Sequence, residues 1–159
     1  MVLQHPSAET TRRALVYSKG KKAALIVACG LIAGSAQAQT PDDTQLQWGP
    51  CPAFLPQGCQ IAVLHGDPGK PNADIFFKVP GKTRIPSHWH SSAERMVLVA
   101  GELSVEYEGE KTKIMTPGMY AYGAPKHHHS AECVSAVPCV LFIAFEAPID
   151  AMATESKTK

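Results

Sequence analysis

The sequence predicts an all-β fold, an antiparallel sandwich or barrel, and three observations carry that prediction. Short apolar or alternating runs recur from Gln60 onward at strand length. Glycine and proline turns separate them, as at Gly66 to Asn72, Gly101-Glu102 and Pro117-Gly118. No amphipathic run of useful helical length interrupts the series.

Taken in order, Gln60 to His65 is the first expected strand, ended by the loop Gly-Asp-Pro-Gly-Lys-Pro-Asn. Ala73 to Val79 is the second. Its Ile75, Phe76 and Phe77 are too continuous for a strand buried on one side, so both faces are expected to be covered. Arg95 to Ala100 is apolar without alternation and reads as a central strand. Leu103, Val105 and Tyr107 alternate with Ser104, Glu106 and Glu108, the pattern of a half-buried strand with a solvated acidic face. Lys111 to Met115, Met119 to Gly123 and the strongly apolar Cys139 to Glu146 complete the set. Residues 60–148 therefore form the sheet domain. Residues 39–59, rich in Pro, Gln and Asp, read as an irregular N-terminal arm whose Trp48 and Phe54 pack on the exterior. Residues 149–159 read as a C-terminal tail, a turn or short helix that frays.

Residues 1–38 read as a signal peptide. Lys19, Lys21 and Lys22 precede the apolar run Ala23 to Gly34, and Ala36 and Ala38 make a small-x-small cleavage pattern, so cleavage is expected after Ala38. The expected product is secreted or periplasmic, with no membrane attachment after cleavage. Arg12-Arg13 as a twin-arginine signal and Cys29 as a lipoprotein site are weaker readings.

Cleavage would remove five of the 15 bases and one of the 14 acids, leaving ten against thirteen and a net charge of −3 with His neutral. Lys70, Lys78, Lys82, Arg84 and Arg95 are dispersed, so no nucleic-acid partner is expected. Of five cysteines, Cys51, Cys59, Cys133 and Cys139 remain in an oxidising destination. Three pairings are formally open. Local closure favours Cys51 with Cys59 and Cys133 with Cys139 over a thiolate metal site.

The chemistry concentrates between Gly81 and His129. His88 and His90 are two apart, so extended backbone sends both imidazoles to one side and Trp89 to the other. Glu94 has the same parity, and a strand continuing through it would aim a carboxylate at the same point. A third imidazole is expected from His127-His128-His129, whose position inside a strand pattern argues against a purification tag. His127 and His129 share a parity and His128 should face away. His5 and His65 read as ordinary surface histidines.

Gly81, six residues, His88, one residue, His90, three residues, Glu94, six residues and Gly101 resemble the first signature of the cupin superfamily, and Gly109, Pro117, Gly118 and His129 resemble the second. The whole is similar to small secreted single-domain bacterial cupins. The resemblance implies an antiparallel double-sheet β-barrel of jelly-roll type, with His88, His90, Glu94 and His129 as ligands to one divalent transition metal ion. His127 stays open as a ligand or a supporting partner. The donor set does not distinguish Fe, Mn, Ni, Cu or Zn. The usual Pro-Ala pair before the last ligand is here Ala124-Pro125.

Three imidazoles and a carboxylate leave two of six octahedral positions open, as a catalytic ion needs. The resemblance implies dioxygenation, oxalate chemistry or superoxide dismutation as candidate activities. The reading taken forward is a metal-dependent, dioxygenase-like oxidoreductase acting on a small organic molecule, with Glu94 as base and Tyr120, Tyr122, His127 and Arg84 as pocket candidates. The competing reading is a metal-stabilised binding or sensing module. An unpaired sheet edge, or the two-sided Phe76 and Phe77 strand, would favour a homodimer.

Overall fold

The computed structural model describes residues 38–154. The expected signal peptide, but for Ala38, and the last five residues of the tail lie outside them. Eleven strands make up the regular structure: β1 Trp48–Pro50, β2 Gln60–His65, β3 Ala73–Val79, β4 Thr83–Trp89, β5 Glu94–Ala100, β6 Leu103–Tyr107, β7 Lys113–Met115, β8 Tyr120–Gly123, β9 His129–Cys133, β10 Cys139–Phe145 and β11 Met152–Ala153. Among the described residues there is no helix, and so none long and apolar enough to cross a membrane.

Two antiparallel sheets result. One runs β1-β2-β3-β10-β5-β8 and the other β11-β4-β9-β6-β7. Side chains from both inner faces, including Ile75, Leu98, Leu141, Ile85, Leu103 and Val105, build one core. The period-two rule explains which residues enter it. β6 buries Leu103, Val105 and Tyr107 and leaves Ser104 and Glu106 outside. On β3, Ile75 joins the main core while Phe76 turns to the opposite face. There the chain's own arm covers it, because Leu46 is buried with Ala62, Phe76 and Val140 and Trp48 packs against them. Lys78 Nζ lies 3.8 Å from the centre of the Trp48 ring on this outer face. β5 lies between β10 and β8 as a central strand should, yet its burial alternates: Met96 and Leu98 face the core, and Val99 is exposed.

The arm and the tail are more ordered than their composition implies. β1 pairs with β2, Trp48 opposite Ala62. Trp48 lies on the outer face as expected, but Phe54 packs against the main core beside buried Leu55. The described part of the tail is a strand and not a helix: β11 adds to the edge of β4, with Met152 opposite Trp89 and Ala153 opposite His88. Thr154 anchors it by donating its N–H to the Ser87 carbonyl and bonding Ser87 and His128 through its hydroxyl.

Both expected disulfides form, Cys51–Cys59 in the arm and Cys133–Cys139 between β9 and β10. The pairs suit an oxidising compartment. Cys133 and Cys139 are fully buried. Cys51–Cys59 closes the loop that carries Pro52, Phe54 and Leu55 onto the core, so it holds the arm in place. Replacing both Cys51 and Cys59 by Ser is expected to lower the unfolding free energy by roughly 2 to 3 kcal/mol, as loop-closure entropy predicts. Urea denaturation of oxidised protein measures it; an unchanged midpoint would mean the arm needs no clamp.

Candidate metal centre

The candidate centre begins with an irregularity in β4. Ile85 pairs with Ala131 and His88 with His129, so three steps on β4 match two on β9. This is a bulge at Pro86 and Ser87, and a proline is well placed there because it has no N–H to contribute to the ladder. The extra residue lets both Ile85 and His88 face inward, which strict alternation forbids. His90 lies just past the end of β4. His129 opens β9, where it pairs with His88 on one side and Tyr107 on the other.

The nitrogen donors of His88, His90 and His129 lie within 4.8 Å of one another, and all three residues are buried. Each ring is held by a backbone carbonyl. Nδ1–H of His88 donates to the Pro86 carbonyl at 2.8 Å, that of His90 to Asp150 at 2.5 Å and that of His129 to His127 at 3.0 Å. Carbonyls only accept, so each Nδ1 carries a proton, and each ring in its neutral form presents its Nε2 lone pair. Burial lowers the pKa of His88 to about 4, opposed by the Pro86 carbonyl and assisted by His90. Burial lowers His129 to about 3, with His88 adding to the effect. Both are neutral at pH 7, the form that binds a metal ion.

Glu94 arrives by a different route from the one its parity implied. The chain leaves β4, turns at Ser91 and Ser92, and Glu94 opens β5 in the other sheet. Ser92 pins this turn by accepting N–H groups from Glu146 and Ala147. The carboxylate is 3% exposed, with Oε2 3.5 Å from His90 Nε2 and Oε1 3.3 Å from His129 Nε2. Gly123, opposite Glu94 in the register, makes this position available: a Cβ there would come within 2.6 Å of Oε1. Burial raises the Glu94 pKa, against the influence of His90. Oε1 has no hydrogen-bond partner. Lone pairs on carboxylate and imidazole this close need a cation between them, a proton or a metal ion. The donor set therefore fits a divalent transition metal, and three buried histidines are positioned to bind one.

An apolar cavity of about 140 Å³ adjoins the imidazoles and Glu94. Its walls come from both sheets, and the arm and tail contribute Pro52, Leu55, Ile149 and Asp150.

The other candidates do not enter it. Tyr120 and Tyr122 are more than half exposed on the outer face of β8, and Arg84 is exposed on β4. The His127 ring turns outward to the Glu108 carbonyl at 2.9 Å, so it is no ligand to this centre; its backbone carbonyl orients His129 instead. His128 faces away, bonded to Thr154 at 2.7 Å. Sequence reasoning missed Asp150, which orients His90 and also accepts the Ser91 N–H through Oδ1 at 2.8 Å. It also missed Tyr107, whose ring packs 5.1 Å from that of His129. Its buried hydroxyl makes no hydrogen bond to the protein, and burial followed by the charge of Glu94 raises its pKa. The alternation of β6 signalled that Tyr107 was buried but not what it met.

Two outcomes follow from this geometry. His90→Ala should abolish most binding of one zinc ion per chain, Gly123→Ala should weaken it by displacing the carboxylate, and His128→Ala should leave it intact. Elemental analysis with competition titration reads all three, and equal loss from His128→Ala would overturn the assignment. The second concerns pH in metal-free protein. With His88 and His129 lowered from 6.5 to about 4 and about 3, the unfolded chain holds more protons in that window. Stability is then highest above pH 6.5 and falls on acidification towards pH 4. Glu94, with its pKa raised, works in the opposite direction, one group against two. Urea unfolding should show a loss of about 1 kcal/mol or more between pH 7 and pH 5; a flat profile would contradict neutral, buried imidazoles.

Residues 75–145 match the cupin domain family. No curated protein matches the chain. Among solved structures, DMSP lyase DddQ from Ruegeria pomeroyi is 18% identical with a TM-score of 0.61, covering 72% of this chain and 64% of that one. An uncharacterised protein with a double-stranded β-helix domain from Klebsiella pneumoniae is 14% identical with a TM-score of 0.54, covering 64% and 89%. Oxalate decarboxylase from Bacillus subtilis is 17% identical with a TM-score of 0.53, covering 61% and 28%. The chain spans less than two thirds of the two DMSP lyase structures, 64% and 63%. Identities this low speak to the fold alone. By the family match, residues 75–145 are a cupin domain, and the double-sheet fold agrees with it.

Proposed function

We propose that this cupin is a secreted, metal-dependent oxidoreductase of dioxygenase type acting on a small organic molecule. His88, His90, Glu94 and His129 would hold one divalent transition metal ion. The observation that carries the reading is the juxtaposition of those side chains with an apolar cavity of about 140 Å³. A site that only stapled the barrel would need no such cavity. Dioxygen is small, neutral and apolar, so it partitions readily into walls of this kind. When bound, a redox-active ion would supply Lewis acidity and electron transfer with dioxygen.

The chain's own part is orientation and proton transfer. The three Nδ1 bonds fix the imidazoles before any ligand arrives, so little reorganisation remains. Glu94 is the one group of the set held by no hydrogen bond at Oε1 and the one whose basicity burial raises. It is the natural acceptor for a proton from an enol, phenol or thiol. The cavity walls keep water from competing for that proton. Secretion rests on the leader pattern, and the two disulfides agree with it.

One observation favours the binding-module reading. Among the described residues lining the cavity there is no hydroxyl, lysine or arginine to assist a reaction. Glu94→Gln separates the two readings when occupancy is measured alongside turnover. An enzyme should keep at least half of its metal and lose oxygen uptake by 100-fold or more. Iron-, manganese- and nickel-loaded protein screened against diketones, thiols and phenols provides the assay. No oxygen uptake by any wild-type loaded form, together with a zinc-dependent rise in thermal stability, would replace the enzyme with the module.

A further inference from the structure

The composition of the cavity restricts what it takes. Its walls are built from residues such as Ile75, Phe77, Ile85, Met96, Leu141 and Ile143. The polar side chains on its lining are His88, His90, Glu94, His129 and Asp150. These gather on one side: Glu94 lies within 3.5 Å of His90 and His129, and Asp150 holds His90 from behind. The Asp150 carboxylate lies on this same side, beside His90, with Oδ1 accepting the Ser91 N–H. A ligand can therefore meet polar groups at one end only. A second charge or a row of hydroxyls would be stripped of water against aliphatic walls with no partner in return. An apolar body gains from the same walls. An apolar cavity of about 150 Å³ lined by Leu, Ile and Phe in another protein takes a benzene ring, which sets the scale.

We infer that the ligand is neutral or singly charged, with an apolar body of about one aromatic ring or its branched aliphatic equivalent and a single oxygen or sulfur head group directed at His88, His90 and Glu94. Dianions such as short dicarboxylates and polyhydroxylated molecules are excluded by the walls. The head-group half rests on the metal reading proposed above, and the body half does not.

The test has two arms. In the first, metal-free protein is titrated with fluorobenzene and followed by fluorine NMR; saturable binding is expected. Ala131→Leu, which fills the cavity from β9, should weaken it at least tenfold, and Val105→Phe serves if that variant fails to fold. In the second arm, zinc-loaded protein of measured stoichiometry is titrated calorimetrically with benzoate, acetate and oxalate. Benzoate should bind at least tenfold more tightly than either, and Ala131→Leu should erase the advantage while one zinc ion stays bound. Absence of zinc binding would sink the metal reading and leave the fluorobenzene arm to decide on the body. Oxalate binding as tightly as benzoate to zinc-loaded protein, or fluorobenzene binding unchanged by both variants, would overturn the inference.

Discussion

The structure depends on keeping three buried imidazoles immobile and pointed inward at one point. A buried imidazole with a free Nδ1–H would lose a hydrogen bond it has in water and would rotate. Each of the three therefore has its proton taken by a main-chain carbonyl, and each carbonyl sits at a break in regular pairing. Pro86 is in the bulge of β4, His127 in the turn before β9, and Asp150 in the segment before β11. Such carbonyls are free because no ladder uses them. The irregularities are thus what allows the centre to form.

Closing the chamber is the second demand. A pair of twisted sheets buries its middle but leaves its ends open. The arm brings Leu55 and Pro52 to one rim, and the tail brings Ile149 and Asp150. Neither segment has an apolar run long enough to hold itself. The Cys51–Cys59 bridge fixes the arm, and Ser92, the β11–β4 pairing and Thr154 fix the tail. The covering elements are held by covalent and polar links because their own burial is too small.

Alternation made the barrel strands and the histidine spacing legible, because a two-residue period is a property of the local backbone. It failed where a count was interrupted. Arg84 shares its parity with His88 and His90, so simple alternation sends it towards them; the extra residue in the bulge reverses its side. Glu94 also shares that parity, but by coincidence, since a turn and a change of sheet separate it from His90. Tyr120 and Tyr122 were legible in principle. They flank Ala121 and precede Gly123, whose missing side chain marks the inward face opposite Glu94. Phe54, β11 and Asp150 gave no local signal. Their positions come from packing, strand pairing and hydrogen bonds to residues far along the chain, which composition does not encode.

Glu94 joins the fold to the chemistry. Its two oxygens lie 3.5 and 3.3 Å from the Nε2 atoms of His90 and His129, whose Nδ1–H groups are taken up by the main chain. Burial raises its pKa, so in metal-free protein the carboxyl holds a proton more tightly than a solvated one does. A divalent ion would satisfy the same lone pairs with charge, and the proton would then leave. Gly123 keeps the carboxylate close enough to take either role, and the aliphatic walls keep water from taking a third. The residue proposed to move a proton in the reaction is therefore the one whose affinity for a proton its burial already raises.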